Sequence, residues 1–172
     1  ADAMDGKLHG ADGSFDGIST DSRSIGEGEL FFALSGPNFD GGKFVSHAAS
    51  KGAAGAVVDT LVDNDVAQIE VDDTKLALGK LAAAWRDRHA PAIVGITGSN
   101  GKTTVKELVA ACLSRVANTL ATEGNLNNDI GMPLMMARID ESHRFAVLEM
   151  GANHAGEIAY LVSLARPDVV CL

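Results

Sequence analysis

Lys102, Thr103 and Glu149 carry the first hint of chemistry. The first two close the glycine-rich stretch "GITGSNGKTT" at 95–104. A stretch of this kind can curl its backbone N–H groups around a phosphate. Its lysine neutralises terminal phosphate charge, and its hydroxyl suits Mg²⁺, which keeps several waters and few protein ligands. The spacing departs from the standard phosphate-binding loop, which has a glycine, four residues, then Gly-Lys-Ser/Thr. Counting back from Gly101 puts the first glycine position at Ile96, so Gly95 is one residue too far and Gly98 two too near. The bland alternative is a tight turn with a surface lysine. Context favours the loop: "AIVGIT" (92–97) reads as a buried strand and "KTTVKELVAACLSR" (102–115) as a helix. Gly98, Ser99, Asn100 and Gly101 then form the loop, with the helix N–H groups aimed at the anion. Lys102 meets phosphate and Thr103 the metal. Thr104 completes the nucleotide set as the lesser ligand, with helix packing as its other use.

Glu149 ends the strand "FAVLEM" (145–150). Ligands of open α/β sheets sit at the carboxyl ends of strands, where a carboxylate can reach a metal beside the loop. A solvated strand-end acid is the alternative. Asn125, Asn127 and Asn128 cluster between Gly124 and Gly131, and either turn chemistry or substrate contact accounts for each of them. Asn153 and His154 follow Glu149 on a strand-to-helix loop, a place that favours substrate contact. "STDSR" (19–23) is a polar turn or a substrate-binding turn built on Ser19, Thr20, Asp21 and Ser22. Arg23 can pair a phosphate bidentately, or equally Asp21. His9, His47, His89 and His143 have no partner pattern and read as surface or packing residues.

These residues need a scaffold, and strand-like and helix-like stretches alternate along the chain. Strands are expected at 29–34, 54–59, 67–73, 92–97, 118–122, 145–150 and 167–172. Helices are expected at 43–52, 74–88, 102–115, 133–139 and 155–165. Alternation of this kind means parallel strands joined by crossover helices. The apolar face of the 102–115 helix reads as Val105, Leu108, Val109 and Cys112. Pro91 biases the preceding residue away from helix, which suggests a domain boundary near 90. The fold class is thus α/β, a small domain over 1–90 followed by an incomplete phosphate-loop parallel-sheet domain over 91–172. The chain stops within what reads as a buried strand, so a longer protein is expected.

Bulk numbers agree. With 172 residues, 46% of them hydrophobic, a buried core is affordable and disorder is disfavoured. A net charge of −9 argues against non-specific nucleic-acid binding. Cys112 and Cys171 read as small core residues of a reduced, cytoplasmic protein. No apolar run reaches the ~18 residues that suggest a membrane span, so no membrane insertion is expected.

"TGSNGKTT" resembles the ATP loop of the Mur ligases, the amide-bond-forming enzymes of peptidoglycan synthesis, and of their folylpolyglutamate synthetase relatives. "TEGNLNNDIGMPL" (122–134) and "LEMGANHAGEIAYLVSLARPDVV" (148–170) resemble the branch that joins D-Ala-D-Ala to UDP-MurNAc-tripeptide. "GISTDSRSIGEGELFFALSGPNFDGGKF" (17–44) resembles the family's N-terminal uridine-nucleotide domain. The resemblance runs from about residue 6 to 172. It implies ATP and Mg²⁺ as cofactors, Lys102 and Glu149 as catalytic residues, and Thr103 and Glu149 as metal ligands. The asparagine loop would face the UDP-sugar and the reacting carboxylate, and 19–22 the uracil and ribose. The glycine-rich 36–44 would close over the same nucleotide. The implied reaction passes through an acyl phosphate, which the amine of D-Ala-D-Ala attacks. The implied enzyme is monomeric, with its adenine contacts, second-metal ligands and D-Ala-D-Ala site beyond Leu172, so these residues alone would not catalyse ligation. A sister ligase acting on a shorter UDP-dipeptide, and a phosphate-loop module without ligase activity, remain alternatives.

Overall fold

A computed structural model describes residues 1–36 and 39–172. The expected closing loop at 36–44 includes Pro37 and Asn38, which lie outside the described residues. The chain packs as two units, Ala1–Leu81 and Ala82–Leu172.

In the first unit, β1 (Lys7–His9), β2 (Gly17–Ser19), β3 (Glu29–Phe32), β6 (Gly55–Val58) and β7 (Gln68–Glu70) form a sheet of order β1-β7-β6-β3-β2. Its strands run parallel except β1, which pairs β7 antiparallel. A two-stranded ribbon of β4 (Ser35–Gly36) and β5 (Phe39–Asp40) leads through a 3₁₀ turn into α1 (Val45–Ser50). Phe31, Val45, Ala48, Ala56 and Val58 share one core. The sequence hid β1 and β2 because each is three residues long and set among glycines and aspartates, without a period to read.

Helix α2 (Thr74–His89) starts where Asp73 Oδ1 accepts from the N–H groups of Lys75 and Leu76, at 2.8 and 2.9 Å, an N-cap. It ends before Pro91, with Ala90 in the left-handed region at φ 46°. The packing units divide inside this helix at Leu81, whereas the sequence suggested a boundary near 90. Beyond Leu81, Ala82 joins the second unit's core, Trp85 Nε1 donates to Ile139 O, and Arg86 donates to Ala165 O.

The second unit holds β8 (Ala92–Ile96), α3 (Lys102–Leu113), β9 (Thr119–Ala121), α4 (Gly131–Met136), β10 (Phe145–Glu149), α5 (Glu157–Ala165) and β11 (Val169–Cys171). Its sheet has order β11-β8-β10-β9 and is parallel throughout. Side chains alternate across it, as strand geometry demands. Ala146 and Leu148 join the cluster that includes Met132, Met135 and Leu161, while Val147 meets Ile96 and Ala110. Among the described residues, no helix is long and apolar enough to cross a membrane.

Three expectations fail at the surface of this unit. Most of the expected apolar face of α3 points outward: Leu108 is 63% exposed and Val105 and Cys112 are exposed, while Val109 packs half-buried against the Ile96, Ala110 and Val147 cluster. The side against the sheet carries Lys106 and Ala110 instead, because a small residue lets the helix approach closely and Lys106 finds polar partners there. Thr104 is exposed and takes no part in helix packing. Strand β11, read as buried, lies at the end of the strand order, with Val169 and Val170 about half exposed and Cys171 half-buried.

Candidate functional site

The parallel register of β8 and β10 sets Glu149 opposite Ile96. Each strand therefore releases its chain at the same edge of the sheet. From β8 come Thr97 and the glycine loop, and from β10 come Met150 and Gly151. Two cross-links bind these exits: Met150 N–H donates to Ile96 O at 2.8 Å, and Thr97 Oγ1 donates to Met150 O at 2.9 Å.

The loop itself is shaped by Gly98 at φ 133° and Gly101 at φ 78°. Gly101 is the N-cap of α3 in the left-handed region, a conformation that side chains strain to adopt. An added Cβ there would meet nothing within 4 Å, so backbone geometry rather than space demands the glycine. Lys102 curls back across the loop, its Nζ donating to Gly98 O at 2.8 Å. Ser99 and Asn100 are the bend between the glycines, and Asn100 is exposed.

One helical position further, Thr103 Oγ1 donates to Glu149 Oε2 at 2.9 Å across 46 residues of sequence. Asn127 Nδ2 donates to the other carboxylate oxygen, Oε1, at 2.8 Å. Glu149 is only 3% exposed, and among the described residues it has no cationic partner. A buried carboxylate without a counter-charge is costly. A hydroxyl and a carboxylate oxygen side by side are the hard donors that Mg²⁺ takes, and a lysine and helix N-terminus beside them suit phosphate. The described residues contain no cluster of three or more His, Cys, Asp or Glu side chains.

The asparagines divide by task. Asn127 joins the site: besides holding Glu149, its carbonyl accepts from Gly151 N–H at 2.8 Å. Asn128 works locally, its Oδ1 accepting from Gly131 N–H at 2.7 Å ahead of α4, which is turn chemistry. Asn125 is exposed, and its carbonyl accepts from Asn127 N–H. Gly131 is obligatory here, since an added Cβ would lie 2.5 Å from Leu126 Cα. Asn153 and His154 have exposed side chains, and their N–H groups donate to Glu157 Oε2, holding that carboxyl below its ordinary range.

The first unit has its own cavity, about 490 Å³, lined by Thr20, Asp21, Ser22 and Arg23 on one side and by Phe31, Leu34, Phe39 and Phe44 among others. Ser19 is not in its lining; its hydroxyl closes the turn by accepting from Asp21 N–H. Arg23 pairs Asp21 through Nε at 2.9 Å and Nη2 at 2.6 Å. Arg23's side chain, then its backbone N–H, hold the Asp21 carboxyl down to about 2. Ser22 is buried, with its hydroxyl 3.1 Å from the His47 ring. The other histidines also have neighbours: His9 meets Glu70 and His143 meets Asp140, while His89 packs on Trp85.

The family model described as the Mur ligase middle domain matches residues 96–172, and that described as Mur ligase family, catalytic domain, matches 14–86.

The chain belongs to the Mur ligase family.

Among its Mur ligase relatives, the UDP-N-acetylmuramoyl-tripeptide–D-alanyl-D-alanine ligase of Escherichia coli K12 is 49% identical over 168 residues, 97% of this chain and 37% of that protein. A solved Acinetobacter baumannii MurF is 42% identical with a TM-score of 0.93, over 98% of this chain and 38% of that one. The Thermotoga maritima MurF ligase solved with ADP is 33% identical with a TM-score of 0.79, over 88% of this chain and 36% of its own. The chain thus spans a little over a third of the length of these relatives. The α/β class with parallel sheets read from the sequence agrees with these Mur ligase neighbours. Sequence reasoning missed two residues around Glu149, Lys106 and Thr122, and the aromatic wall of the first cavity. Lys106 stands four residues after Lys102, a spacing that puts both on one helix face.

Proposed function

We propose that the chain provides the nucleotide-phosphate site and the UDP-substrate site of an ATP-dependent ligase that joins D-Ala-D-Ala to UDP-MurNAc-tripeptide in the cytoplasm. The observation that carries this reading is the 2.9 Å contact between Thr103 Oγ1 and Glu149 Oε2, one residue past the loop lysine. Phosphoryl transfer asks a protein to position groups and neutralise charge. Gly98 to Thr104 would hold the phosphates of ATP, and Lys102 would offset their charge. Thr103 and Glu149 would hold Mg²⁺, which would supply Lewis-acid stabilisation of negative charge on the phosphates. Asn127 orients Glu149, and it stands with Asn125 and Asn128 on the loop that would face the acceptor carboxylate. Asn153 and His154 are exposed beside that edge and would contact substrate. In the first unit, Thr20, Asp21 and Ser22 would contact the uridine end, while Ser19 sets the turn that presents them. The domain roles follow the division proposed from sequence, 1–90 for the UDP-substrate and 91–172 for ATP.

Calorimetric titration of UDP-MurNAc-tripeptide into this chain, with UDP-MurNAc-dipeptide in parallel, tests the reading. Saturable binding of the tripeptide, tighter than the dipeptide, is expected. Absence of any UDP-ligand binding by a folded chain would overturn the substrate assignment. Phosphate release with all three substrates is expected to stay far below that of the relatives, since the chain spans little more than a third of their length.

A further inference from the structure

Lys106 occupies a seat that hydrophobicity would have given to a neighbour. Its side chain is 4% exposed, while Leu108 on the same helix is 63% exposed. Burying an ammonium is costly unless it is paired and hydrogen-bonded. Lys106 Nζ meets Glu107 Oε1 at 2.6 Å and donates to Thr122 O at 2.7 Å. Thr122 is 1% exposed and extends the β9–β10 ladder by one residue, its N–H donating to Val147 O at 3.0 Å. The Thr122 hydroxyl in turn accepts from Glu149 N–H at 2.9 Å. Three residues before Lys106, on the same face of α3, Thr103 donates to the Glu149 carboxylate.

A closed circuit results: α3 to Thr122 through Lys106, Thr122 to Glu149 through its hydroxyl, and Glu149 back to α3 through Thr103. Apart from apolar packing of Ala110 on Val147, without the Lys106 arm the hydrogen bonding of α3 to Glu149 would rest on the Thr103 hydroxyl, the contact a metal would have to share. We propose that Lys106 and Thr122 are positioning residues that fix the spacing between the Thr103 hydroxyl and the Glu149 carboxylate for a divalent cation. The proposal rests on Thr103 and Glu149 being the metal pair. Neither positioning residue touches nucleotide or metal; each acts through the partner it holds. Partners of this kind orient metal ligands, and their loss commonly costs about 10–100-fold in metal affinity.

The test is calorimetric titration of ADP into this chain, with Mg²⁺ and with EDTA. The readout is the ratio of the two affinities, which a general loss of stability does not move in a chain that remains folded by circular dichroism. Lys106→Met keeps the length of the side chain and removes its charge. It is expected to cut the Mg²⁺-dependent gain about tenfold or more, with the EDTA affinity within about twofold of the parent. Thr122→Val is expected to do the same, and Thr122→Ser, which retains the hydroxyl, to restore the parental gain. Glu149→Gln separates the two levels of the claim. If Glu149→Gln abolishes the gain while folded Lys106→Met and Thr122→Val both keep it, the positioning role is overturned and the metal pair stands. If Glu149→Gln keeps the gain, or the parent has none, the metal pair fails and the proposal with it. Should Lys106→Met not fold, the Thr122 pair decides alone: a gain lost in valine and kept in serine supports the role, and any other pattern overturns it.

Discussion

The two candidate sites are built by opposite means. The turn at 19–23 is held largely by its own residues: Ser19 and Asp21 bond each other, and Asp21 clamps Arg23 two positions on. The site around Glu149 is held by partners 46, 22 and 27 residues away, from Thr103, Asn127 and Thr122. The first arrangement is tied to the rest of its unit at two points, Ser22 to His47 and Lys51 to Arg23 O, and its Asp21–Arg23 pair is exposed, so that pair can rearrange around a ligand at little cost. The second depends on three adjacent parallel strands ending at one edge, so its geometry is fixed by the fold. Placement on strand ends gives precision where charge must be neutralised at a set distance. A turn on the rim of an open cavity needs less of it.

Substitutions can sharpen or break this contrast. The largest effect is expected at Lys102→Ala, where a charged donor is lost from a fixed loop. ATP affinity should fall on the order of 100-fold, about 3 kcal/mol, by calorimetry. A loss under threefold would mean that the lysine does not meet phosphate. Next comes Gly101→Ala, which asks a side chain to adopt φ 78°. A penalty of about 1–2 kcal/mol is expected in chemical unfolding of the second unit, with weaker ATP binding. Equal stability would show that the loop reshapes freely, as the 19–23 turn is expected to do.

How far the sequence foretold these sites follows the same division. Strand, glycine loop and helix at 92–115 were legible because each is a local pattern, and Glu149 was legible as a strand-end acid. The orientation of α3 was not, because the sheet and not the helix's own composition selects the buried side. Thr122 read only as the last residue of the 118–122 strand, since its hydroxyl answers to Glu149, 27 residues later. For Asn128 the sequence left turn chemistry and substrate contact both open, and its Oδ1 is engaged in ordering the backbone ahead of α4. In the 19–23 turn the Asp21–Arg23 pair was one of two readings open from sequence alone, as expected where a contact spans two residues.

The smallest effects are expected in that turn. Asp21→Asn should leave the melting temperature unchanged within error, since the pair is exposed to solvent. UDP-ligand affinity should fall by a few-fold, and no change at all would remove Asp21 from the site. Its titration gives a finer check. The folded carboxyl lies at about 2, below the ~3.9 of an unfolded aspartate. Its contribution to stability, too small in an exposed pair to move the melting temperature, is therefore fully present above about 4 and fades as pH falls through about 2. Carbon-detected NMR of the Asp21 carboxyl should give a midpoint near 2 in the parent, moving up toward ~3.9 in Arg23→Ala. An unmoved midpoint would mean that Arg23 is not its cause.

At the centre of the proposed function stand Thr103 and Glu149, a metal pair beside a phosphate loop. Titration of ATP into the parent chain and into Glu149→Gln, each with Mg²⁺ and with EDTA, tests it most directly. Mg²⁺ is expected to tighten ATP binding about tenfold or more in the parent and to have no effect in Glu149→Gln. Equal tightening in both proteins would contradict it, because the ion would then be held without the carboxylate that β10 delivers to the loop.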